Sequence, residues 1–253
     1  MIKFENVSFA YGEHKVLDGV SFEIRPGEQV GLIGANGAGK STIMRAALGL
    51  IACSGEITVG GLTMTRENLP AIRKQLGYVL QDSDNQMFMP TVLEDMIFGP
   101  INYGMTRADA EQRADAEQRA DEVLQQLGLE YLKNRHNHKM SGGEKRMAAI
   151  ATILAMEPDV MLMDEPSTAL DPQNRRTLIR TLNRLPMTKI IASHDLDLIL
   201  DTCDRVLLLS DGKIAADGSV VEILYDRALL ERNHLELPFC LAGPHPHRHG
   251  APA

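Results

Sequence analysis

A nine-residue stretch near the amino terminus, Gly34-Ala-Asn-Gly-Ala-Gly-Lys-Ser-Thr42, constrains the fold of this chain more than any other feature. It matches the pattern G-x-x-x-x-G-K-[ST] and directly follows an apolar run, Val30 to Ile33. Glycines let the backbone curl until successive N–H groups point at one anion, and a following helix adds the positive end of its dipole. The stretch therefore predicts a strand, a phosphate-binding loop and a helix, with Lys40 reaching the β- and γ-phosphates of a nucleotide.

Composition narrows the class of protein. A chain of 253 residues can bury one full core, with room for a smaller satellite subdomain. Its 26 Lys and Arg residues against 34 Asp and Glu residues give a net charge of −8, which argues against a nucleic-acid surface. We therefore expect a globular protein without a nucleic-acid partner.

Cysteine usage and hydropathy bear on where the protein works. The three cysteines, Cys53, Cys203 and Cys240, are widely spaced and form no C-x-x-C pair, which is typical of idle thiols in a reducing cytosol. The chain opens on a strand pattern rather than a signal peptide, and its longest apolar run, Ala148 to Met156, is too short to cross a bilayer. We expect any membrane association to depend on partners.

Strand patterns occur on both sides of the phosphate loop. Residues 1–9 and 16–24 alternate as half-buried strands do, and residues 55–61 form a short strand and turn that completes a small antiparallel layer. Residues 76–81 form a buried strand that ends at Gln81. Tyr11, at the end of the first strand, either stacks on an adenine ring or simply packs against its neighbours.

Residues 82–139 are polar and mostly helical. Thr91 with Glu94 forms a capping-box pattern, and Thr106 with Asp109 starts a long helix that Gly128 ends. Within that helix the hexamer Ala-Asp-Ala-Glu-Gln-Arg occurs twice, at 108–113 and 114–119. Because alanine is the only apolar residue of this repeated stretch, we expect the stretch to lie on the surface and not to form a deep core helix. We interpret the repeat as a dispensable tandem insertion or a sequencing artefact.

Three later positions deliver polar groups at the start of a helix or the end of a strand. Ser141-Gly142-Gly143-Glu144 precedes an apolar helix and predicts a second helix terminus able to bind an anion, or simply a capped helix. Residues 160–163 form an apolar strand followed by Asp164 and Glu165, which favours a Mg²⁺ and water site over a solvated face. Residues 189–193 form another strand that delivers His194.

The order of these motifs, from the phosphate loop to His194, resembles that of ABC-type ATP-binding subunits over almost the whole chain. The segments Gln81–Phe88, Thr91–Asp95 and Phe98–Gly104 are similar to the ATPases of energy-coupling factor importers, as is Leu235–Pro238. Among those ATPases, a single chain with a His-rich tail resembles the cobalt/nickel transport subunit. Met140 stands where the family usually has Leu, which is a conservative difference.

The resemblance implies an α/β fold with a RecA-like P-loop NTPase core, an antiparallel β layer and an inserted α-helical subdomain. It implies an ATP-binding domain at 1–220, with the helical subdomain at about 82–157. The C-terminal extension would be short, 221–253, and would include a disordered tail containing His245, His247 and His249. We expect that tail to bind Ni²⁺ or Co²⁺ only weakly if at all.

The resemblance also assigns roles. Two ATPase subunits would form a homodimer or pseudo-dimer, with integral membrane subunits docked on the segment after Gln81 at the cytoplasmic face of the membrane. Glu165 would be the general base, with His194, Gln81 and Lys40 as further catalytic residues and with Ser41, Gln81 and Asp164 as Mg²⁺ ligands. The expected ATP-binding residues are Tyr11, Gly34, Asn36, Gly37, Gly39, Lys40, Ser41, Thr42, Ser141, Gly142, Gly143 and Glu144.

Rival functions fit the sequence less well. Soluble ABC ATPases of DNA repair or translation usually carry a second cassette or a long coiled coil between the positions of Gln81 and Ser141, and this sequence has neither. A regulatory module without hydrolysis is expected to lack Glu165 or His194. A P-loop kinase would lack the Ser-Gly-Gly signature. An ATPase of a vitamin importer remains the closest alternative to a metal-ion importer.

Overall fold

The computed structural model describes the backbone of residues 1–103 and 110–242, and the side chains of 1–102 and 115–242. In these ranges the strands are β1 (Ile2–Tyr11), β2 (His14–Ile24), β3 (Gln29–Ile33), β4 (Ser54–Val59), β5 (Leu62–Thr63), β6 (Leu76–Val79), β7 (Val160–Asp164), β8 (Thr188–Ala192), β9 (Arg205–Ser210) and β10 (Lys213–Ser219). The α-helices are α1 (Lys40–Ala47), α2 (Leu69–Gln75), α3 (Val92–Tyr103), α4 (Ala110–Leu127), α5 (Gly142–Leu154), α6 (Pro172–Arg184), α7 (Leu196–Thr202), α8 (Val220–Leu224) and α9 (Arg227–Arg232).

The larger sheet has the order β10-β9-β3-β8-β7-β6, with β10 antiparallel and the other five strands parallel. Every residue of β7 and β8 is buried, as expected for parallel strands covered on both faces. Parallel strands share one carboxyl edge, so β3, β7 and β8 deliver the phosphate loop, Glu165 and His194 to the same place. The predicted RecA-like core with its P-loop is confirmed.

The smaller sheet has the order β2-β1-β4-β5 and is antiparallel, as predicted. Its inward residues, including Phe4 stacked on Phe22 with ring centroids 4.6 Å apart, pack with helix α1 and one face of the larger sheet. This core anchors α1, because Ile43 and Met44 are almost completely buried in it. The amino terminus of α1 is thereby fixed relative to the carboxyl edge of the larger sheet.

Helices α3, α4 and α5 lie between β6 and β7 in the chain and pack on one another. The capping box between Thr91 and Glu94 is present, and α4 ends just before Gly128, which has a φ of +68°. The start of α4 predicted at Thr106–Asp109 lies outside the described residues.

The expectation that α4 lies on the surface holds for one side of the helix only. Ala116 and Ala120 are both 0% exposed, and Leu124 continues the same stripe at a spacing of four residues. The sequence argument counted alanine as a surface residue, whereas a methyl side chain lets α3 and α5 approach α4 closely. Ala116, in the second copy of the repeat, therefore belongs to the core.

The carboxyl-terminal segment folds back onto the larger sheet. Ile223, Leu224 and Leu230 from α8 and α9 are buried in the main core. Beyond α9, the main-chain N–H groups of Phe239 and Cys240 donate to the carboxylate of Asp197 on α7. The histidines of the tail lie outside the described residues. Within the described ranges, every helix is too short or too polar to cross a membrane.

Candidate active site

The loop between β3 and α1 forms the floor of the site. Gly34 sits directly on strand β9, since a Cβ atom there would lie 2.3 Å from the carbonyl oxygen of Leu209. Gly39, with a φ of +108°, is the N-cap residue of α1, and no side chain in the described part of the chain caps this helix. The first-turn amides of α1 are therefore directed at the space above the loop, where the helix dipole favours an anion.

Lys40 is buried beneath this space. Its Nζ donates to the carbonyl oxygen of Gly34 at 2.7 Å and to that of Ala35 at 3.3 Å. Burial lowers the pKa of Lys40, while the neighbouring Glu165 and Asp164 carboxylates oppose that shift. The lysine is thus held within the loop by its own backbone, with two acids nearby, in a position suited to a phosphate chain.

Asp164 ends β7 and is 5% exposed. The hydroxyl of Tyr78, on the neighbouring strand β6, donates to Asp164 Oδ2 at 3.2 Å. Burial and the Asp164 carboxylate raise the pKa of Tyr78, so the phenol stays a donor. The sequence analysis missed Tyr78, although its position three residues before Gln81 on a strand next to β7 could have indicated it.

Glu165 follows Asp164 and is held by three groups of the two residues that follow β8, Ser193 and His194. Its Oε2 accepts from Ser193 Oγ at 2.9 Å and lies 2.8 Å from His194 Nδ1, and the main-chain N–H of His194 donates to Oε1 at 3.1 Å. Glu165 has a φ of +48°, an uncommon conformation for a residue other than glycine and one often found at functional sites. Ser193, which is 0% exposed, was not predicted from the sequence.

These groups line one cleft of about 470 Å³. Its walls are formed by Tyr11, Val16, Asn36, Gly37, Gly39, Lys40, Ser41, Thr42, Gln81, Asp164, Glu165 and His194. Tyr11 is 49% exposed and packs edge-on against Phe9, with Arg45 Nη1 donating to its hydroxyl at 3.3 Å. Tyr11 therefore lies at the cleft wall. All twelve lining residues except Val16 are predicted site residues, so the structure brings eleven of the predicted residues together.

The Ser141–Glu144 motif lies elsewhere. Gly142 lines a second cleft, of about 350 Å³, together with Gln81, Lys145, Arg146 and Thr168. Ser141 caps α5 in a capping box, since its Oγ accepts from Glu144 N at 3.2 Å while Glu144 Oε2 accepts from Ser141 N at 2.8 Å. That bond from the Ser141 main chain lowers the pKa of Glu144. Within one chain, the signature serine and glycines therefore do not reach the phosphate-loop cleft.

The family model for ABC transporters matches residues 17–168, a range that contains the phosphate loop and the two acids of the cleft. The chain belongs to this family. Among its ABC relatives, the energy-coupling factor transporter ATP-binding protein EcfA of Methanoculleus marisnigri is 40% identical over 232 residues, covering 90% of this chain and 82% of the relative. The predicted resemblance is confirmed at this level.

Solved ABC cassettes share the fold. The structure of cbiO1 from Clostridium perfringens, described as part of the ABC transporter complex cbiONQ, matches with a TM-score of 0.79 at 32% identity, covering 91% of this chain and 93% of that one. A dimeric, post-hydrolysis state of the ATP-binding cassette MJ0796, bound to ADP and Pi, matches with a TM-score of 0.76 at 28% identity, covering 87% and 99%. The present chain is an ATP-hydrolysing ABC cassette, the ATP-binding subunit of an ABC transporter.

Proposed function

We propose that this chain is the ATPase of an energy-coupling factor importer for a transition-metal ion, cobalt or nickel, and that it works as a head-to-tail dimer. One observation supports the proposal of a dimer. The catalytic residues line the phosphate-loop cleft, whereas the signature residue Gly142 lines a different cleft of the same chain. A second subunit, turned head to tail, would bring its Ser141, Gly142 and Gly143 over the γ-phosphate. The dimeric cassette MJ0796 supports this arrangement.

In this mechanism, each phosphate-loop cleft binds one ATP. The α1 amides and Lys40 hold the phosphates, and Tyr11 stacks on the adenine. Glu165, oriented by Ser193 and His194, accepts a proton from water as the water oxygen attacks the γ-phosphorus and the bond to the bridging oxygen breaks. His194 and Gln81 contact the γ-phosphate from either side of the cleft.

The donor set of the cleft fits Mg²⁺. The hydroxyl of Ser41, the amide oxygen of Gln81 and the carboxylate of Asp164 line the same wall, and hard oxygen ligands are those that Mg²⁺ prefers. When bound, the ion would offset charge on the β- and γ-phosphates. Tyr78 would hold the Asp164 carboxylate in place for it.

For the membrane partner we propose a docking surface after Gln81, formed by Phe88 and Phe98. Their rings meet edge to face with centroids 4.9 Å apart, yet Phe88 is 64% exposed and Phe98 41% exposed. Copurification of integral membrane proteins should be lost in Phe88→Ser/Phe98→Ser and kept in Tyr131→Ser, which changes an exposed aromatic on a short 3-10 helix, Glu130–Leu132. The chain would thus sit at the cytoplasmic face of the membrane through its partners.

The cargo is argued from relatives and from the tail. The EcfA relative supports an energy-coupling factor system, and the resemblance of a single-chain ATPase with a His-rich tail to the cobalt/nickel transport subunit favours a metal ion over a vitamin. Among the described residues, no three His, Cys, Asp or Glu side chains cluster as a metal site. Radioactive cobalt and nickel uptake by cells with and without this gene tests the cargo, and vitamin-limited growth tests the alternative.

The decisive experiment for the dimer compares Glu165→Gln with Lys40→Ala by size-exclusion chromatography, with and without ATP and Mg²⁺. Glu165→Gln should lose about 10²-fold or more of its turnover, keep ATP binding and accumulate as a dimer. Lys40→Ala should bind ATP weakly and stay monomeric. A Glu165→Gln protein that remains monomeric at high ATP while turning over normally would contradict both the assignment of Glu165 as the general base and the ATP site shared between two subunits.

A further inference from the structure

Arg146 is a buried cation with no acidic partner among the described residues. It follows the signature on α5 and is 3% exposed. Its Nη1 donates to the carbonyl oxygen of Leu80 at 2.6 Å and its Nη2 donates to that of Gln81, while its Nε has no partner in the described part of the chain. Burial lowers the pKa of Arg146, with Asp82 opposing that shift.

Further bonds attach the segment after Leu80 to the same helix. Lys145 pairs with Asp84, and Gln86 Nε2 donates to the carbonyl oxygen of Ala149 at 2.7 Å while Gln86 Oε1 accepts from Leu80 N at 3.0 Å. The contacts extend from Lys145 to Ala149, a little more than one turn of α5. Residues 80–86 and the signature helix therefore form one mechanical unit.

Stability alone does not require a guanidinium at this position. Replacing a buried charge by an apolar residue of similar volume is often neutral or stabilising, because desolvation opposes the gain from pairing. Here the guanidinium binds two main-chain carbonyls, one of which belongs to Gln81 itself. Its position instead fixes Gln81, which lines both the phosphate-loop cleft and the signature cleft.

We infer that Arg146 is a positioning residue that couples the two ATP sites of the dimer, an inference that rests on the proposed head-to-tail arrangement. Gln81 faces the ATP of its own subunit, whereas Ser141 and Gly142 face the ATP of the other. A shift of Gln81 on γ-phosphate binding is carried through Arg146 to the start of α5. Each site thereby biases closure of the other, which is a coupling between two sites through one two-state element.

The test compares Arg146→Met, Arg146→Lys and the control Lys133→Met, which removes an exposed pair with Asp121 in the same helical region. For each we would measure ATP affinity of the monomer with a fluorescent nucleotide, the kcat and the Hill coefficient of ATP hydrolysis, and the melting temperature. Arg146→Met should keep ATP affinity within about 3-fold, lose about 10-fold in kcat and lower the Hill coefficient to about 1, within the usual range of coupling energies. Arg146→Lys, with one ammonium for two carbonyls, should be intermediate.

The outcomes separate the inference from the proposed function. A wild-type Hill coefficient of 1, with no ATP-dependent dimer of Glu165→Gln, overturns the dimer mechanism and this inference with it. A wild-type coefficient above 1 that is unchanged in Arg146→Met overturns the inference alone. If Arg146→Met does not fold, Arg146→Lys decides the matter, because an unchanged coefficient in that variant also overturns it.

Discussion

Two helix termini in this molecule have similar sequence signals and opposite local structures. Gly39 directly precedes α1 and Gly142 begins α5, and both helices direct a dipole at a cleft. The start of α1 has no side-chain cap in the described residues, whereas α5 is closed by the reciprocal Ser141 and Glu144 capping box. The first-turn N–H groups of α1 must therefore be paired by an anionic ligand, whereas the start of α5 is already capped within its own chain.

The difference shows how one chain can hold a complete half-site and an incomplete one. Lys40, Asp164 and Glu165 converge on α1 because they lie on one carboxyl edge of a buried sheet. The signature lies at the start of α5 in the adjoining helical region, where a Cβ atom on Gly142 would meet only open space. Only the first region is assembled by intrachain packing, and the four predictions below test that contrast.

The largest effect should come from Gly142→Ala. A Cβ atom at Gly142 meets nothing within 4 Å in the chain, and alanine favours a helix over glycine by about 1 kcal/mol. The melting temperature should hold or rise, yet turnover should fall about 10²-fold if the partner's phosphate lies against this glycine. Calorimetry and steady-state ATPase assays measure the two effects.

Gly143→Ala is the matched control. A Cβ atom there would lie 2.2 Å from Asn174 Nδ2, which bonds Asp171 at the start of α6, so this variant should lose thermal stability. If Gly142→Ala hydrolysed ATP at the wild-type rate, Gly142 would have no role in contacting the ATP bound by the second subunit.

The second prediction concerns the helical region alone. Ala116→Leu should lower the free energy of unfolding by about 1–3 kcal/mol, because the methyl site between α3, α4 and α5 has no spare volume. Gln118→Leu, on the exposed side of α4, should change it by a few tenths of a kcal/mol. Urea unfolding compares them; equal effects would mean that Ala116 is not in the core.

As a corollary of the second prediction, deleting one repeat hexamer should still be tolerated. Because the copies are identical, removing either yields the same chain, which keeps an alanine four residues before Ala120. The buried stripe is therefore preserved, and the melting temperature and ATPase activity should remain nearly unchanged. A loss of several degrees would indicate that the first copy also packs against the protein.

The third prediction sharpens the account of the phosphate-loop side. Tyr78→Phe removes the hydroxyl that donates to Asp164 and nothing else, so the carboxylate loses its fixed orientation. The Mg²⁺ concentration for half-maximal ATPase should rise about 10-fold, the lower end of the range for groups that orient metal ligands. ATP binding without Mg²⁺ should not change. An unaltered Mg²⁺ dependence would remove Tyr78 from the site.

The smallest effect is a pH dependence at the base of the same sheet. Lys189 on β8 is 2% exposed and donates to the carbonyl oxygens of Leu182 and Leu185, and burial lowers its pKa to about 8. Between that value and the ordinary 10.5, the unfolded chain binds more protons than the folded one, so this group adds stability as pH rises. The free energy of unfolding of the wild type minus that of Lys189→Met should therefore increase as the pH rises from about 8 to 10.5, by at most about 1.4 kcal/mol per pH unit. Burial also raises the pKa of nearby Cys203 to about 12. Because wild type and Lys189→Met both contain Cys203, the comparison between them isolates Lys189. A constant difference would show that Lys189 does not titrate there.

The sequence by itself determined the elements that depend on local physics. Alternating strands, the phosphate loop, the Thr91 capping box, and the Asp211-Gly212 turn between β9 and β10 all follow from short-range patterns, and the turn residues have the positive φ values that such a hairpin needs. Lys40, Asp164, Glu165 and His194 could be assigned because each ends a strand or begins a helix.

Only the tertiary structure decided what depends on neighbours distant in the chain. Tyr78 and Ser193 matter because β6 and β8 flank β7, an adjacency that no local pattern encodes. Alanine has the same side chain on a surface and in a core, so the burial of Ala116 depends on how closely two other helices approach. Arg146 meets Gln81 across 65 residues of sequence, and its buried charge is held in place by backbone carbonyls that carry no sequence signal at all.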